Sequence, residues 1–110
     1  MPIVDKASDE DLRSLVYKYE YVIVKFVDEK CPVCKKLAPF YKALAEDIAY
    51  KGVLFLRMNA SENPVSRNEV RLTGTPFIAI YRKGMLQECG LVKTAEELKG
   101  LLDKLLIPRA

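Results

Sequence analysis

The feature that most constrains the fold of this chain is a short, nearly continuous apolar run. Tyr21–Val27 is rich in β-branched residues, and only Lys25 interrupts it. Such a run is typical of a strand that is buried on both faces of a parallel sheet. A second run of this kind spans residues 53–58, and a segment with helical apolar spacing precedes each run. The pattern predicts an α/β protein built around a central sheet.

Local signals predict the other elements. Ser8 and Thr94 are N-caps followed by acidic residues and open the first and last helices, and Asn63-Pro64 opens a short third helix. Apolar residues at helical spacing predict a long second helix, with Gly52 as its C′ residue. The predicted order is β-α-β-α-β-α-β-β-α, with elements at Ile3–Val4, 8–19, Tyr21–Val27, 31–51, 53–58, 63–71, 77–81, Met85–Leu91 and from residue 94 onward. A hairpin turn at residues 82–84 makes the sheet mixed, with helices on both faces.

Length and composition predict one domain. The chain has 110 residues, half of them apolar, which is enough for a core without disulfide stapling or a structural metal. No repeat or linker divides it, so residues 1–110 are expected to form a single domain.

Charge and hydropathy narrow the expected partners and location. The net charge of +3 is spread along the chain, so we expect no nucleic acid or membrane partner. We also expect the protein to be a monomer. No apolar run approaches the ~20 residues of a membrane span, and the N-terminus carries no apolar signal segment. These features favour a cytoplasmic protein. The 30% of charged residues fit a thermophilic source.

The chemistry-bearing motif is Cys31-Pro32-Val33-Cys34, at the junction between the strand and the second helix. Pro32 suits the first helical position because its missing N–H would have no partner there. This puts Cys31 at or near the N-cap and Cys34 in the first turn. Residues three apart on a helix have Cβ atoms roughly 5–6 Å apart, so a modest local adjustment allows a disulfide.

The same position predicts reactivity. Free N–H groups and the positive end of the helix dipole stabilise a thiolate at Cys31. Three lysines, Lys30, Lys35 and Lys36, add positive charge nearby. Because a thiolate is the nucleophile in disulfide exchange, Cys31 is predicted to attack and Cys34 to resolve the mixed disulfide. This chemistry requires no cofactor beyond the redox-active disulfide itself.

Three other interpretations of the pair remain to be weighed. Half of a zinc site is disfavoured, because the chain has no histidine and only Cys89 to spare, so no metal is predicted. A structural disulfide would close a loop too small to constrain the unfolded chain much. The third interpretation is a pair of ordinary core cysteines. Cys89 itself is expected to be a buried, inert thiol, with a regulatory or dimer-forming thiol as the alternative.

Over nearly its whole length the chain resembles the thioredoxin superfamily. The resemblance is carried by the strand at residues 22–27, by the cysteine motif with Lys35, by Pro39 five residues further on, and by Gly74-Thr75-Pro76-Phe77. It implies the thioredoxin fold and thiol–disulfide oxidoreductase activity on protein clients, with a thioredoxin-reductase-type partner that recycles the pair.

The resemblance also implies a substrate loop. In the family, the loop that matches Thr75-Pro76 has a cis peptide bond, lies beside the cysteines and offers backbone groups to an extended client segment. Thr75 and Pro76 are therefore the expected client-contacting residues, with Lys30, Pro32 and Val33 around the cysteines.

The motif departs from typical thioredoxins, which have tryptophan before the first cysteine and Gly-Pro between the two. Lys30 followed by Cys31-Pro32 is similar to glutaredoxins. A glutathione-linked reductase is therefore one alternative function. A thioredoxin-fold binding or chaperone module with little turnover is another.

The sharpest departure is Lys25, which stands where the family has a buried carboxylate that moves the proton of the resolving thiol. The lysine that partners this carboxylate is matched by Arg57. Two unpaired buried cations would be very unfavourable, so one is expected to reach solvent or a carboxylate such as Asp28 to turn inward. Lys25 is expected either to act as a base with a lowered pKa or to extend its ammonium outward. The cations are expected to make the pair more oxidising than in an ordinary thioredoxin.

Overall fold

The predicted order of elements is confirmed. In the computed structural model, which describes residues 3–4, 7–47, 50 and 52–106, five strands and four α-helices follow one another as β-α-β-α-β-α-β-β-α. Their bounds are β1 Ile3–Val4, α1 Asp9–Lys18, β2 Tyr21–Val27, α2 Pro32–Glu46, β3 Val53–Asn59, α3 Pro64–Glu69, β4 Phe77–Arg82, β5 Met85–Leu91 and α4 Ala95–Leu106.

The strands form one mixed sheet in the order β1-β3-β2-β4-β5. The central strand β2 pairs in parallel with β3 and antiparallel with β4, so it has a neighbour on each side. In this register Lys25 lies opposite Arg57, and Phe26 lies opposite Phe77. The hairpin between β4 and β5 turns at Lys83 and Gly84, which both have positive φ, as a two-residue hairpin turn requires.

Side-chain alternation along β2 divides the core into two layers. Val22, Val24 and Phe26 belong to the layer that also contains residues of α1. Ile23 faces the opposite layer, which is packed by α2 and α4. The run that reads as continuously apolar in the sequence is therefore buried on both faces, as expected of a central strand. Lys25 points to the same side as Ile23.

The second helix is shorter than predicted. It ends at Glu46, and Asp47 has an extended backbone, so a helix reaching residue 51 is wrong over the described residues, with 48, 49 and 51 lying outside them. The chain turns where the N–H of Tyr50 donates to the carbonyl of Asp47. This turn delivers the buried Tyr50, whose hydroxyl donates to Asp103 of α4 at 2.6 Å. Gly52 has a φ of 97° but belongs to the approach to β3 and is not the C′ residue of α2.

The helix caps tie the elements together. Ser8 and Thr94 cap α1 and α4 as predicted, since each side chain accepts the N–H of an acidic residue three positions later. Asn63 does not cap α3 with its side chain. That cap comes from α1, because the carboxylate of Asp9 accepts the N–H groups of Val65 and Ser66 at 3.1 and 2.8 Å. In return, Asn63 accepts the N–H of Asp9.

Asp9 thus makes the packing of α1 against α3 pH-dependent. Burial raises the pKa of this carboxyl, but hydrogen bonds from Ser66 and Val65 and the charge of Arg13 outweigh burial and hold the pKa below 3.8. A lowered pKa in the folded state stabilises the protein above the ordinary pKa. That stabilisation is lost as the pH falls through the folded-state value.

Replacing Asp9 with alanine is therefore expected to lower the free energy of unfolding by about 1 kcal/mol at neutral pH, the usual worth of a helix cap. The loss should shrink at acidic pH, once the pH falls through the lowered folded-state pKa of Asp9 and the wild-type carboxyl becomes protonated. Urea unfolding curves at neutral and acidic pH measure it. Glu10→Ala, an exposed change in the same helical turn, is the control, and an equal loss in the two variants would contradict the capping role.

Candidate active site

Cys31 and Cys34 form a disulfide, with Cα atoms 5.2 Å apart. Cys31 is the N-cap of α2 and has an extended backbone, while Pro32 occupies the start of the helix. The prediction from the cysteine spacing is therefore confirmed, and the interpretation as two ordinary core thiols is wrong. The pair stands at the carboxyl end of β2, where the chain changes from strand to helix.

A short turn fixes the pair in this position. The carbonyl of Asp28 accepts the N–H of Cys31 at 3.2 Å, and its carboxylate accepts the N–H of Lys30 at 3.1 Å. The N–H of Cys34 in turn donates to the sulfur of Cys31 at 3.1 Å. The first helical turn is therefore closed onto the Cys31 sulfur. Asp28 is exposed in this turn, and its expected compensation of a buried cation stays a prediction.

The surroundings of the pair are apolar on one side and charged on the other. Cys31 and Cys34 are 7% and 4% exposed and pack with Val27 and the half-buried Val33. The first turn of α2 carries no acidic residue, so no carboxylate there opposes the positive end of the helix dipole. The side chains of Lys30, Pro32, Lys35 and Lys36 are exposed around it.

The predicted substrate loop lies next to the pair. The Thr75-Pro76 bond is cis, as the resemblance implies. Since Phe26 pairs with Phe77 in antiparallel strands, one further residue along each strand brings Pro76 beside Val27, which packs on both cysteines. The carbonyl of Pro76 accepts the N–H of Val92 at 3.0 Å, which anchors the loop to the end of β5.

Lys25 is buried in the core beneath α2. It is 1% exposed, and its ammonium nitrogen lies 4.7 Å from the centroid of the Tyr41 ring. The expectation that this side chain extends outward to solvent is wrong, because α2 covers its face of the central strand. The aromatic ring supplies a negative quadrupole that attracts the cation.

Tyr41 is the site neighbour that the sequence analysis missed. Its hydroxyl donates to the carbonyl of Leu56 at 2.6 Å and lies 3.1 Å from that of Ile23. Burial raises its pKa well above 10.0, so the hydroxyl stays protonated. The available signal was helical spacing, because Tyr41 shares one face of α2 with Cys34 and Leu37.

Arg57 is the cation of the pair that reaches solvent. It is half-buried on β3 and lines a cavity of about 130 Å³ next to Cys34. Asp28 lines the same cavity. The structure therefore separates the two cations: Lys25 lies against an aromatic ring, and Arg57 lies at a cavity.

Cys89 differs from its prediction. It lies exposed on β5, one of the two edge strands of the sheet, and its sulfur is 3.8 Å from the carbonyl of Val70. A buried position is therefore wrong, because no residue of β5 is fully buried.

The described part of the chain contains neither a metal-binding cluster nor a membrane-spanning helix. No cluster of three or more histidine, cysteine or acidic side chains is arranged to hold a metal ion there. None of the helices described has the length and apolar content needed to span a bilayer.

A disulfide at a helix start, beside a cis-proline loop on a mixed sheet, defines a thioredoxin-fold exchange protein. The thioredoxin family model matches residues 3–105, so the chain belongs to the thioredoxin family and is a thiol–disulfide oxidoreductase. It is 28% identical to thioredoxin 1 of Plasmodium falciparum over 88% of this chain and 91% of that protein. It is 32% identical to Chlamydia muridarum thioredoxin over 76% of this chain and 72% of that protein. A solved structure of P. falciparum thioredoxin superposes with a TM-score of 0.82, covering 94% of this chain and 98% of that one.

The contact between Lys25 and Tyr41 predicts an energetic coupling. In a double-mutant cycle of Lys25→Met and Tyr41→Leu, we expect a favourable interaction of about 1–2 kcal/mol, the range for a desolvated cation over an aromatic face. Chemical unfolding measures the four proteins. Tyr41→Phe keeps the ring and should retain most of the coupling. Effects that add within about 0.4 kcal/mol would contradict the interaction.

Proposed function

We propose that this protein exchanges disulfides with protein clients, with Cys31 as the attacking thiol and Cys34 as the resolving thiol. The observation that carries the proposal is the position of Cys31 as the N-cap of α2, where its sulfur accepts the N–H of Cys34. A sulfur held by a backbone donor at a helix N-terminus favours the thiolate, which is the reactive form. Cys34, one turn into the helix, lacks this terminal position.

The reaction runs in two exchanges. The Cys31 thiolate attacks one sulfur of a client disulfide, and the other client sulfur leaves as a thiolate that takes up a proton. Cys34 then loses its proton and attacks the Cys31 sulfur. This forms the internal disulfide and releases the second client thiol. The client gains two electrons, and the protein gives up two.

The client segment is proposed to lie along the Thr75-Pro76 loop, in contact with Lys30, Pro32 and Val33. Backbone pairing of this kind accepts many sequences, because main-chain groups supply the hydrogen bonds. The half-buried side chain of Val33 and the exposed ring of Pro32 offer apolar contact beside the disulfide. The exposed Lys30 would favour acidic client segments.

Return to the dithiol state requires a reductant, and we propose a protein partner of the thioredoxin-reductase type. A cytoplasmic location fits this cycle, because cytosolic thiols are kept reduced. We further propose that the protein works as a monomer. A thermophilic source is supported only by the 30% of charged residues. Apart from the Lys30-Cys31-Pro32 sequence, no feature of the described residues favours the glutathione-linked alternative, and none favours the non-catalytic one.

The two cysteines have distinguishable roles, and trapping tests them in a Cys89→Ser background. Cys34→Ser should accumulate a mixed disulfide with a client, because Cys31 can attack but nothing resolves the adduct. Cys31→Ser should accumulate none. Both variants should reduce insulin with dithiothreitol no faster than dithiothreitol alone, whereas Cys89→Ser should retain the wild-type rate.

Three results would contradict the proposal. Adducts on Cys34 in the Cys31→Ser variant, together with no adducts on Cys31 in the Cys34→Ser variant, would show that the roles are reversed. Glutathione-coupled reduction of a small mixed disulfide without insulin reduction would indicate the glutaredoxin-like alternative. The absence of turnover in both assays would indicate a binding module.

A further inference from the structure

Cys34 lines a small cavity that Cys31 does not line. Its volume is about 130 Å³, which is room for several water molecules. Cys34 is 4% exposed at the surface, and the cavity that it lines is also lined by charged residues. The lining residues are Val27, Asp28, Glu29, Cys34, Lys35, Ala38, Arg57 and Asn59.

Arg57 connects this cavity to a larger one. The second cavity, of about 430 Å³, shares Glu29, Arg57 and Asn59 with the first and extends to Glu62. The main chain of Arg57 is fixed, because it pairs with β2 and its carbonyl accepts the N–H of Ala7 at 3.1 Å. A guanidinium is protonated at every accessible pH, so its charge at the cavity is permanent.

Lys25 is directed elsewhere. Its ammonium lies over the ring of Tyr41, which is about two helical turns, or about 10 Å along the axis, from Cys34. Lys25 is not among the residues that line the cavity. The cation at the position of the family's buried acid therefore faces the core, and the cation on the neighbouring strand shares a space with Cys34.

We propose that Arg57 is a positioning residue that stabilises the thiolate of Cys34 across this cavity during the resolving step. The proposal deepens the proposed function and depends on it. Cys34 releases its proton to water in the cavity, and the thiolate attacks the Cys31 sulfur. The bond from Cys31 to the client breaks, and the client thiolate leaves and takes up a proton.

The other charged groups at the cavity stabilise or destabilise the thiolate of Cys34 according to their charge. Lys35 adds to the positive field of Arg57, whereas the carboxylates of Asp28 and Glu29 oppose it. Removing a cation should therefore disfavour the thiolate of Cys34, and removing a carboxylate should favour it. These opposite signs separate electrostatic stabilisation by Arg57 from proton transfer to Glu29, which would require the carboxylate.

The test is a stopped-flow reaction of the fully reduced protein, in a Cys89→Ser background, with one equivalent of a symmetric chromogenic aryl disulfide. The first aryl thiolate released reports attack by Cys31, and the second reports resolution by Cys34. If the first phase is absent, the proposed function fails. If it is present, the second phase tests Arg57 alone.

Arg57→Met should slow the second phase about three- to tenfold at pH 7. A cation that lines the same small cavity is expected to lower the pKa of the thiol by about one unit, and the higher nucleophilicity of the more basic thiolate offsets part of the loss. The loss should shrink as the pH rises, because a growing fraction of the thiol is then ionised without the arginine. Arg57→Lys should retain the wild-type profile, which a purely structural role for the arginine would not predict.

Matched variants complete the test. Glu62→Gln, at the far cavity only, should leave the profile unchanged, and Glu29→Gln should not slow the second phase. Lys25→Met should shift the profile less than Arg57→Met. The proposal is overturned if Arg57→Met leaves the pH profile unchanged, if Glu29→Gln slows resolution, or if Lys25→Met has the larger effect.

Discussion

The structure depends on one junction, where the central strand ends and α2 begins with a sulfur as its cap. Because Cys31 supplies the cap, the N–H of Cys34 is satisfied by the sulfur with which Cys34 also forms the disulfide. The turn held by Asp28 sets the angle between strand and helix. The antiparallel register of β4 then brings Pro76 to the same end of the sheet. Cys31, Cys34 and the cis-proline loop therefore converge at one end of the sheet.

The same face of β2 carries a second constraint, the buried Lys25. A cation in the core is tolerated only where partners offset its loss of hydration, and Tyr41 is one such partner. The ring belongs to the helix that carries the cysteines, so packing of α2 and burial of the cation are linked. Arg57, opposite in register, keeps contact with a polar cavity. Two cations at neighbouring positions thus have different environments and, in our account, different roles.

Local signals in the sequence predicted the strands, the caps at Ser8 and Thr94 and the position of Cys31. Long-range packing decided the rest. The end of α2 depends on Tyr50 reaching Asp103, a contact that helical spacing cannot reveal. The residues whose burial was predicted wrongly also depend on contacts between elements that are distant in the sequence.

Lys25 and Cys89 illustrate it. The burial of Lys25 depends on Tyr41 of another element, and a strand pattern alone gave no reason to pair them. The exposure of Cys89 depends on β5 being an edge strand with no fully buried residue. The cis bond before Pro76 was predicted from the family resemblance, because the presence of a proline alone predicts a trans bond in most cases.

The central claim is that the helix N-terminus and the surrounding cations favour the thiolate form of the pair. Equilibration with glutathione buffers measures its reduction potential most directly. The account predicts a value more oxidising than the about −270 mV of ordinary thioredoxin, because stabilised thiolates favour the reduced state. A potential at or below about −270 mV would contradict it.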